Sequence, residues 1–255
     1  MNCMFWGIAL IIIYLSCMLT IIQIKQDRSI GNFTWGGLVM LLTVYSFFTY
    51  SQFLPRQILV TTLIMLWGIR LAAYTYLRYK KGADPRFIAW QQQHGTTYAF
   101  IYNAGWIFML NGFMGLVMST PALAINTSAT PGLTFLDWIG LALWIIGFYF
   151  ETVSDYQLFI FRKDPTNTGK VLGSGLWRYS RHPNYFGEIV MWWGIYLLAV
   201  SVPCGWLTII CPGAITITLL FVTGIPWLEK AMDNNPAYQE YKKRTSILIP
   251  WAPKQ

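Results

Sequence analysis

Between Leu176 and Glu188 the chain reads LWRYSRHPNYFGE, which sets Arg178, Arg181, His182, Asn184, Tyr185 and Glu188 against the start of an apolar run. Pro183 suits the first position of a helix, because its φ is already helical and its missing N–H is one the helix start leaves unpaired anyway. His182 then falls at the N-cap. Asn184 and Glu188 are four apart and Tyr185 and Glu188 three apart, so polar groups line one face of the first two turns. A helix N-terminus flanked by Arg178 and Arg181 attracts an anion. Snorkelling of arginine and tyrosine to a membrane interface accounts for the basic residues. It leaves Asn184 and Glu188, deeper in the apolar run, to a functional role.

A second constellation precedes it. In FETVSDYQLFIFRK, Phe150 to Lys163, Glu151 and Asp155 are four apart and Arg162 lies seven beyond Asp155, so all three share a helical face. Such a face is either an internal salt bridge between helices or a pocket for a polar ligand. The linker Asp164 to Gly175, DPTNTGKVLGSG, holds Lys170 and enough turn formers to bring backbone amides near a ligand. Its GSGLWR imitates a dinucleotide fingerprint, but the third glycine is replaced by Arg178 and no βαβ unit surrounds it, which excludes a Rossmann domain. Arg70, within LWGIRLAAY, is a lone cation at membrane depth costing ~3 kcal/mol or more. It calls for a carboxylate, a carbonyl or a ligand. The tail carries Lys242, Lys243 and Arg244, suited either to anionic headgroups or to a phosphorylated cofactor.

The elements that position these residues are membrane spans. Of the 255 residues 55% are hydrophobic and 11% charged, against about 25% charge in soluble domains. At about 20 residues per crossing, seven spans are predicted: 4–24, 33–54, 57–77, 98–118, 135–158, 186–203 and 206–228. The first, without a basic region before it or a small-residue cleavage site after it, reads as a membrane helix and not as a signal peptide. KQDR (Lys25 to Arg28), Pro55–Arg56 and RYKKGADPR (Arg78 to Arg86) punctuate the early spans, and Thr120 to Gly132 reads as a loop. Seven spans put 16 of the 18 Lys and Arg residues on one side. Arg56 falls on the other side and Arg70 inside a span, so the N-terminus is predicted outside and the C-terminus cytoplasmic. The net charge of +8 is thus a topology signal and not a nucleic-acid signal. Cys3, Cys17, Cys204 and Cys211 lie in or beside apolar runs and read as small buried hydrophobes. With only His94 and His182, a three-histidine zinc site is excluded.

The chain is expected to be a single all-α membrane domain, a seven-helix bundle. LWRYSRHPNYFGE, the Glu151–Asp155–Arg162 face and the tail EYKKRTSILIPW resemble the steroid 5α-reductase family, in particular its bacterial membrane members, over residues 57 to 253. The resemblance implies NADPH in a cytoplasm-open cavity and reduction of a carbon–carbon double bond conjugated to a ketone, as in 3-oxo-Δ4-steroids. By position it places Asp155, Arg162, Asn184 and Glu188 on the cofactor, with Lys170 and Arg70 at further basic positions. The helix start and tail add Arg178, Arg181, His182, Tyr185, Lys243 and Arg244. Where the family has a catalytic tyrosine this chain has Trp67, and the partner glutamate is replaced by Gln52 or Phe53. Gln52, Tyr50, Asn111 and Tyr102 are the candidates for polarising the ketone.

Two other readings fit parts of this pattern. Isoprenylcysteine- and phospholipid-type membrane methyltransferases share the RHP turn and a Glu-containing tail, and bind S-adenosylmethionine. A non-catalytic lipid or sterol carrier would explain the missing tyrosine and glutamate. The reductase reading implies a lipophilic small-molecule substrate and membrane lipid, with neither nucleic acid nor a protein partner indicated. The compact chain suggests a bacterial inner membrane, or the endoplasmic reticulum in a eukaryote.

Overall fold

The computed structural model describes residues 2–25, 31–78 and 91–254. Most of KQDR and RYKKGADPR, including Arg28, Lys80, Lys81 and Arg86, therefore lies outside the described residues. The described residues are helical, with no strand among them, and divide into two compact units, Met1–Gly132 and Leu133–Gln255.

The first unit holds α1 (Asn2–Lys25), α2 (Gly31–Tyr50), α3 (Pro55–Arg78) and α4 (Thr96–Asn126). Leu15, Leu19 and Ile22 of α1, Leu38 and Leu42 of α2 and Ile107 of α4 form its buried core. In lipid the apolar faces alone do not drive helices together, so close approach and buried hydrogen bonds carry more of the association. Gly115 of α4 sits under Leu38, where a Cβ would meet the leucine at 2.6 Å. Gln57 ties α3 to the end of α4: its Oε1 accepts the backbone N–H groups of Gln52 and Leu54, and its Nε2 donates to the carbonyl of Ser128 at 2.9 Å. Asn126 donates to Ser46 of α2 at 2.9 Å.

The segment expected as a loop from Thr120 is helical as far as Asn126, with Pro121 buried inside α4. Proline removes the N–H that would bond the Val117 carbonyl. The Thr120 hydroxyl donates to that carbonyl at 2.7 Å, so the helix passes the proline with the carbonyl satisfied. The loop begins at Thr127. Midway along α4, Trp106–Asn111 widens into a π-turn, and the buried Asn111 side chain donates to the Trp106 carbonyl at 3.1 Å.

The second unit is built on α5 (Phe135–Lys163) and α6 (Pro183–Val200), its most extensive helix pair. The Asp137 carboxylate accepts from the Thr134 backbone and hydroxyl, closing the start of α5. Gly140 and Gly147 of α5 meet Gly194 and Gly187 of α6 in reverse order, which makes the helices antiparallel. A Cβ on Gly147 would lie 2.4 Å from the Gly187 carbonyl, and one on Gly194 would lie 2.5 Å from the Gly140 carbonyl. The backbones therefore touch. Beyond α6 come a 3₁₀ turn (Gly205–Ile209), α7 (Ile210–Ile217) leading into a π-turn (Thr218–Val222), α8 (Ile225–Met232) and α9 (Pro236–Arg244).

Among the described residues six helices are long and apolar enough to cross a membrane: Phe5–Lys25, Phe33–Tyr50, Pro55–Leu77, Thr96–Asn126, Phe135–Lys163 and Gly205–Met232. The protein is an integral membrane protein. The predicted span at 186–203 corresponds to α6, which stands outside that set because its 18 residues open with Pro183, Asn184 and, one turn on, Glu188. At 1.5 Å per residue the 29 residues of α5 reach about 44 Å, some 14 Å beyond a hydrocarbon core of about 30 Å. Counted from Phe135, the excess begins near Asp155.

Candidate active site

The approach to α6 is a loop stapled on both sides. The 3₁₀ turn Gly175–Arg178 opens on Gly175 at φ +60°, a left-handed conformation suited to glycine, with Gln157 against the place a Cβ would occupy. Gln157 of α5 accepts from the Leu176 backbone at 3.0 Å, and the buried Trp177 indole donates to the Ser154 carbonyl at 3.0 Å. From the other side, the Ser180 hydroxyl donates to the Leu248 carbonyl at 2.7 Å and the Arg181 N–H to the Ser246 carbonyl at 2.8 Å. The Tyr241 hydroxyl donates to the Trp177 carbonyl. His182 is the N-cap residue and Pro183 the first helical residue, as the sequence predicts.

This register sets Asn184 opposite Asp155. The Asn184 amide donates to the Asp155 carboxylate at 3.3 Å, while its carbonyl oxygen is buried without a hydrogen-bond partner. Glu151 and Asp155 are both buried and share the α5 face. Glu188 is half-buried one turn into α6. The Phe150 and Phe186 rings meet edge to face at 5.1 Å beside them. Two acids and an amide with an open acceptor suit hydroxyls and a carboxamide better than a bare anion.

A second polar centre surrounds Glu229 of α8. Its Oε1 lies 3.0 Å from Arg181, 3.3 Å from His182 Nε2 and 3.4 Å from the Tyr238 hydroxyl, and its Oε2 lies 3.5 Å from Lys242. Arg181 retains 9% of its side-chain exposure and Glu229 15%, so these contacts are stronger than ion pairs in open water. They lock the start of α6 to α8 and α9. Burial holds the His182 pKa below its ordinary value, only partly offset by Glu229, so the imidazole is neutral at neutral pH. The phenol of Tyr238, on the same carboxylate, is pushed up to about 12 by burial and by the Glu229 charge. The hydrogen bond from Lys242 to Asp233 raises the lysine, and Asp233 is lowered by its bonds to Gln239 and Lys242.

The predicted residues separate into groups. Asp155 and Asn184 are joined directly, Arg181 and His182 meet at Glu229, and Tyr185 stacks on His182 with centroids 5.6 Å apart. Arg162 and Lys170 are exposed at and beyond the end of α5. Lys243 and Arg244 both bond Glu240, and Arg178 shares a cleft with Arg244. In the first unit Arg70 lies over the Tyr74 ring, 5.5 Å from its centroid. Of the four candidates for the ketone, Tyr50 and Gln52 sit at the end of α2, Tyr102 stacks on Tyr98, and Asn111 has its donor engaged by Trp106. Glu229, Gln157, Ser180 and Tyr241 escaped sequence reasoning. An acid at the end of the last apolar run was the available signal for Glu229. Cys17, Cys204 and Cys211 are free thiols, of which only Cys211 is buried. Among the described residues no cluster of His, Cys, Asp or Glu could hold a metal.

The second unit is an apolar helix pair with its polar groups gathered at one end. The family model described as "protein of unknown function (DUF1295)" matches residues 18–245, and the chain belongs to that family. It resembles the steroid 5α-reductases. It is 34% identical over 127 residues to the 3-oxo-5-alpha-steroid 4-dehydrogenase 1 of Bos taurus, covering 45% of this chain and 44% of that protein. The Mus musculus counterpart is 33% identical over 127 residues, 45% of each chain. A Delta(14)-sterol reductase of Mus musculus is 33% identical over 125 residues, 41% of this chain and 28% of the relative. The chain spans less than half the length of the curated relatives it matches. No solved structure matches.

Proposed function

We propose that this protein is an NADPH-dependent reductase of a carbon–carbon double bond conjugated to a ketone, with a 3-oxo-Δ4-steroid or a similar lipophilic enone as substrate. The observation that carries the reading is the Asp155–Asn184 pair at the end of α5 and α6, with a buried amide oxygen open to a donor. The relatives' names point to the same chemistry. The reading keeps a seven-span bundle with a cytoplasmic C-terminus, in a bacterial inner membrane or the endoplasmic reticulum.

The residues fit the cofactor. Asn184 presents an acceptor to a carboxamide N–H, and Asp155, Glu151 and Glu188 present acceptors to ribose hydroxyls. Arg162 and Lys170 offer charge to phosphates, favouring NADPH over NADH because its extra phosphate adds negative charge. NADPH, when bound, supplies the hydride. Glu229, through Arg181 and His182, holds the N-terminus of α6 in register so that Asn184 stays on Asp155. Negative charge on the ketone oxygen calls for a hydrogen-bond donor acting as an oxyanion hole. Gln52, Tyr50, Asn111 and Tyr102 are the donors to test.

Thermal melting of the detergent-purified protein tests the cofactor. A ligand that binds only the folded state stabilises it by about 2.7 kcal/mol at a hundredfold excess over Kd. NADPH should raise Tm in the native protein and much less in Asn184→Ala. Stabilisation by S-adenosylmethionine instead would favour the methyltransferase, and stabilisation by neither would favour the lipid carrier.

A further inference from the structure

Beside α9 a cleft of about 350 Å³ is bordered by Gly173, Arg178, Glu240, Tyr241, Arg244 and Lys254. Three cations face one acid there. That acid is committed: Glu240 bonds Arg244 through two nitrogens, at 3.1 and 2.7 Å, and Lys243 at 3.3 Å. The paired Arg244 keeps guanidinium donors to spare, since arginine has five. Arg178 and Lys254 have no acidic partner among the described residues. The cleft is held by main-chain bonds: the Lys254 N–H donates to the Arg244 carbonyl at 2.9 Å and the Trp251 N–H to the Tyr179 carbonyl at 3.0 Å. The main chain at Lys254 and next to Arg178 is thus pinned close to Arg244, and the Arg178 and Lys254 charges have no acid to neutralise them among the described residues.

The segment leading into the cleft has a second property. Ile247, Ile249 and Trp251 are exposed, whereas Leu248 and Pro250 between them are half-buried. The inner side is engaged, with the carbonyls of Ser246 and Leu248 bonded to Arg181 and Ser180. The outer side offers two isoleucines and a tryptophan, the residue most at home at a membrane–water boundary. A dissolved phosphate compound has no use for that apolar edge. A lipid has.

We propose that this cleft binds the phosphate of an acidic phospholipid headgroup, with Arg178, Arg244 and Lys254 on the phosphate and Ile247, Ile249 and Trp251 against the acyl region. The site is separate from the Asp155–Asn184 pair and does not depend on the reductase reading. It anchors the tail that also clamps the start of α6, so lipid composition would reach the functional end of that helix.

The test is lipid retention by the full-length protein in phosphatidylcholine nanodiscs doped with phosphatidylglycerol, measured by native mass spectrometry after release. Phosphatidylglycerol should be retained over phosphatidylcholine. Arg178→Gln with Lys254→Gln should weaken that retention roughly 30-fold, the loss expected for two basic contacts, at an unchanged Tm in lipid-free detergent. The charge-matched pair Lys163→Gln with Lys230→Gln, outside the cleft, should change it less than about threefold. Equal losses in both double variants, or no preference for phosphatidylglycerol, would overturn the proposal. Displacement of the lipid by millimolar inorganic phosphate would also overturn it, reassigning the cleft to a soluble phosphate.

Discussion

Gly187→Ala tests how the helix pair creates the site. A Cβ on Gly187 would lie 2.5 Å from both the Glu151 backbone nitrogen and the Gly147 carbonyl oxygen, where ordinary contact begins near 3.4 Å. Both neighbours are main-chain atoms of α5, so no side-chain rotation relieves the overlap. The helices must part by about 0.9 Å, the difference of those two distances, one turn from Asn184. The Asn184–Asp155 bond is already 3.3 Å long and does not survive such a shift, since a separation of about 3.6 Å is no longer a hydrogen bond. Overpacking costs about 1–3 kcal/mol. A lost hydrogen bond to a charged group costs about 1.5–3 kcal/mol, so cofactor affinity should fall about tenfold or more. The assay pairs thermal melting with NADPH titration, using Gly213→Ala as control because a Cβ there meets nothing within 4 Å. If Gly187→Ala keeps both the Tm and the NADPH affinity of Gly213→Ala, the reasoning from backbone contact to site geometry is refuted.

Other outcomes follow from the same geometry. Glu229→Gln removes the charge shared by Arg181, His182 and Lys242; it should cost about 2–3 kcal/mol, less than a fully buried pair, and speed proteolytic cleavage of the tail. Because His182 titrates below its ordinary value of about 6.5, the unfolded chain takes up a proton that the folded one resists. Its contribution to stability is therefore complete above about pH 6.5 and lost as the pH falls further; between about pH 7.5 and about pH 5 the fall in Tm should be smaller in His182→Gln than in the native protein. Thr120→Val should cost about 1 kcal/mol by leaving the Val117 carbonyl unpaired, and almost nothing beside Pro121→Ala, where a backbone N–H takes its place; melting of the four proteins closes that cycle.

The local chemistry of the site was legible because it follows helical spacing. Glu151 and Asp155 share a face and both are buried, and Pro183 starts α6 with His182 before it. The glycines at 140, 147, 187 and 194 were equally visible, but their meaning required knowing that two segments run antiparallel in contact. The Glu229 centre joins residues up to 61 positions from Lys242 back to Arg181, a distance no periodicity spans. The extent of α4 is hidden in the sequence because Thr120, Asn126 and Pro121 favour turns in water. In this unit one hydroxyl and two buried amide bonds satisfy the polar groups that would otherwise end the helix.

Turnover itself is the most direct test of the reductase account. The purified protein, reconstituted in lipid with NADPH and a 3-oxo-Δ4-steroid, is followed by the loss of NADPH absorbance and by the mass of the steroid product. The account predicts steroid-dependent oxidation with a product heavier by two hydrogens, and a raised KM for NADPH in Asn184→Ala. Reduction that proceeds unchanged in Asn184→Ala, or NADPH binding without turnover of any enone, would contradict it.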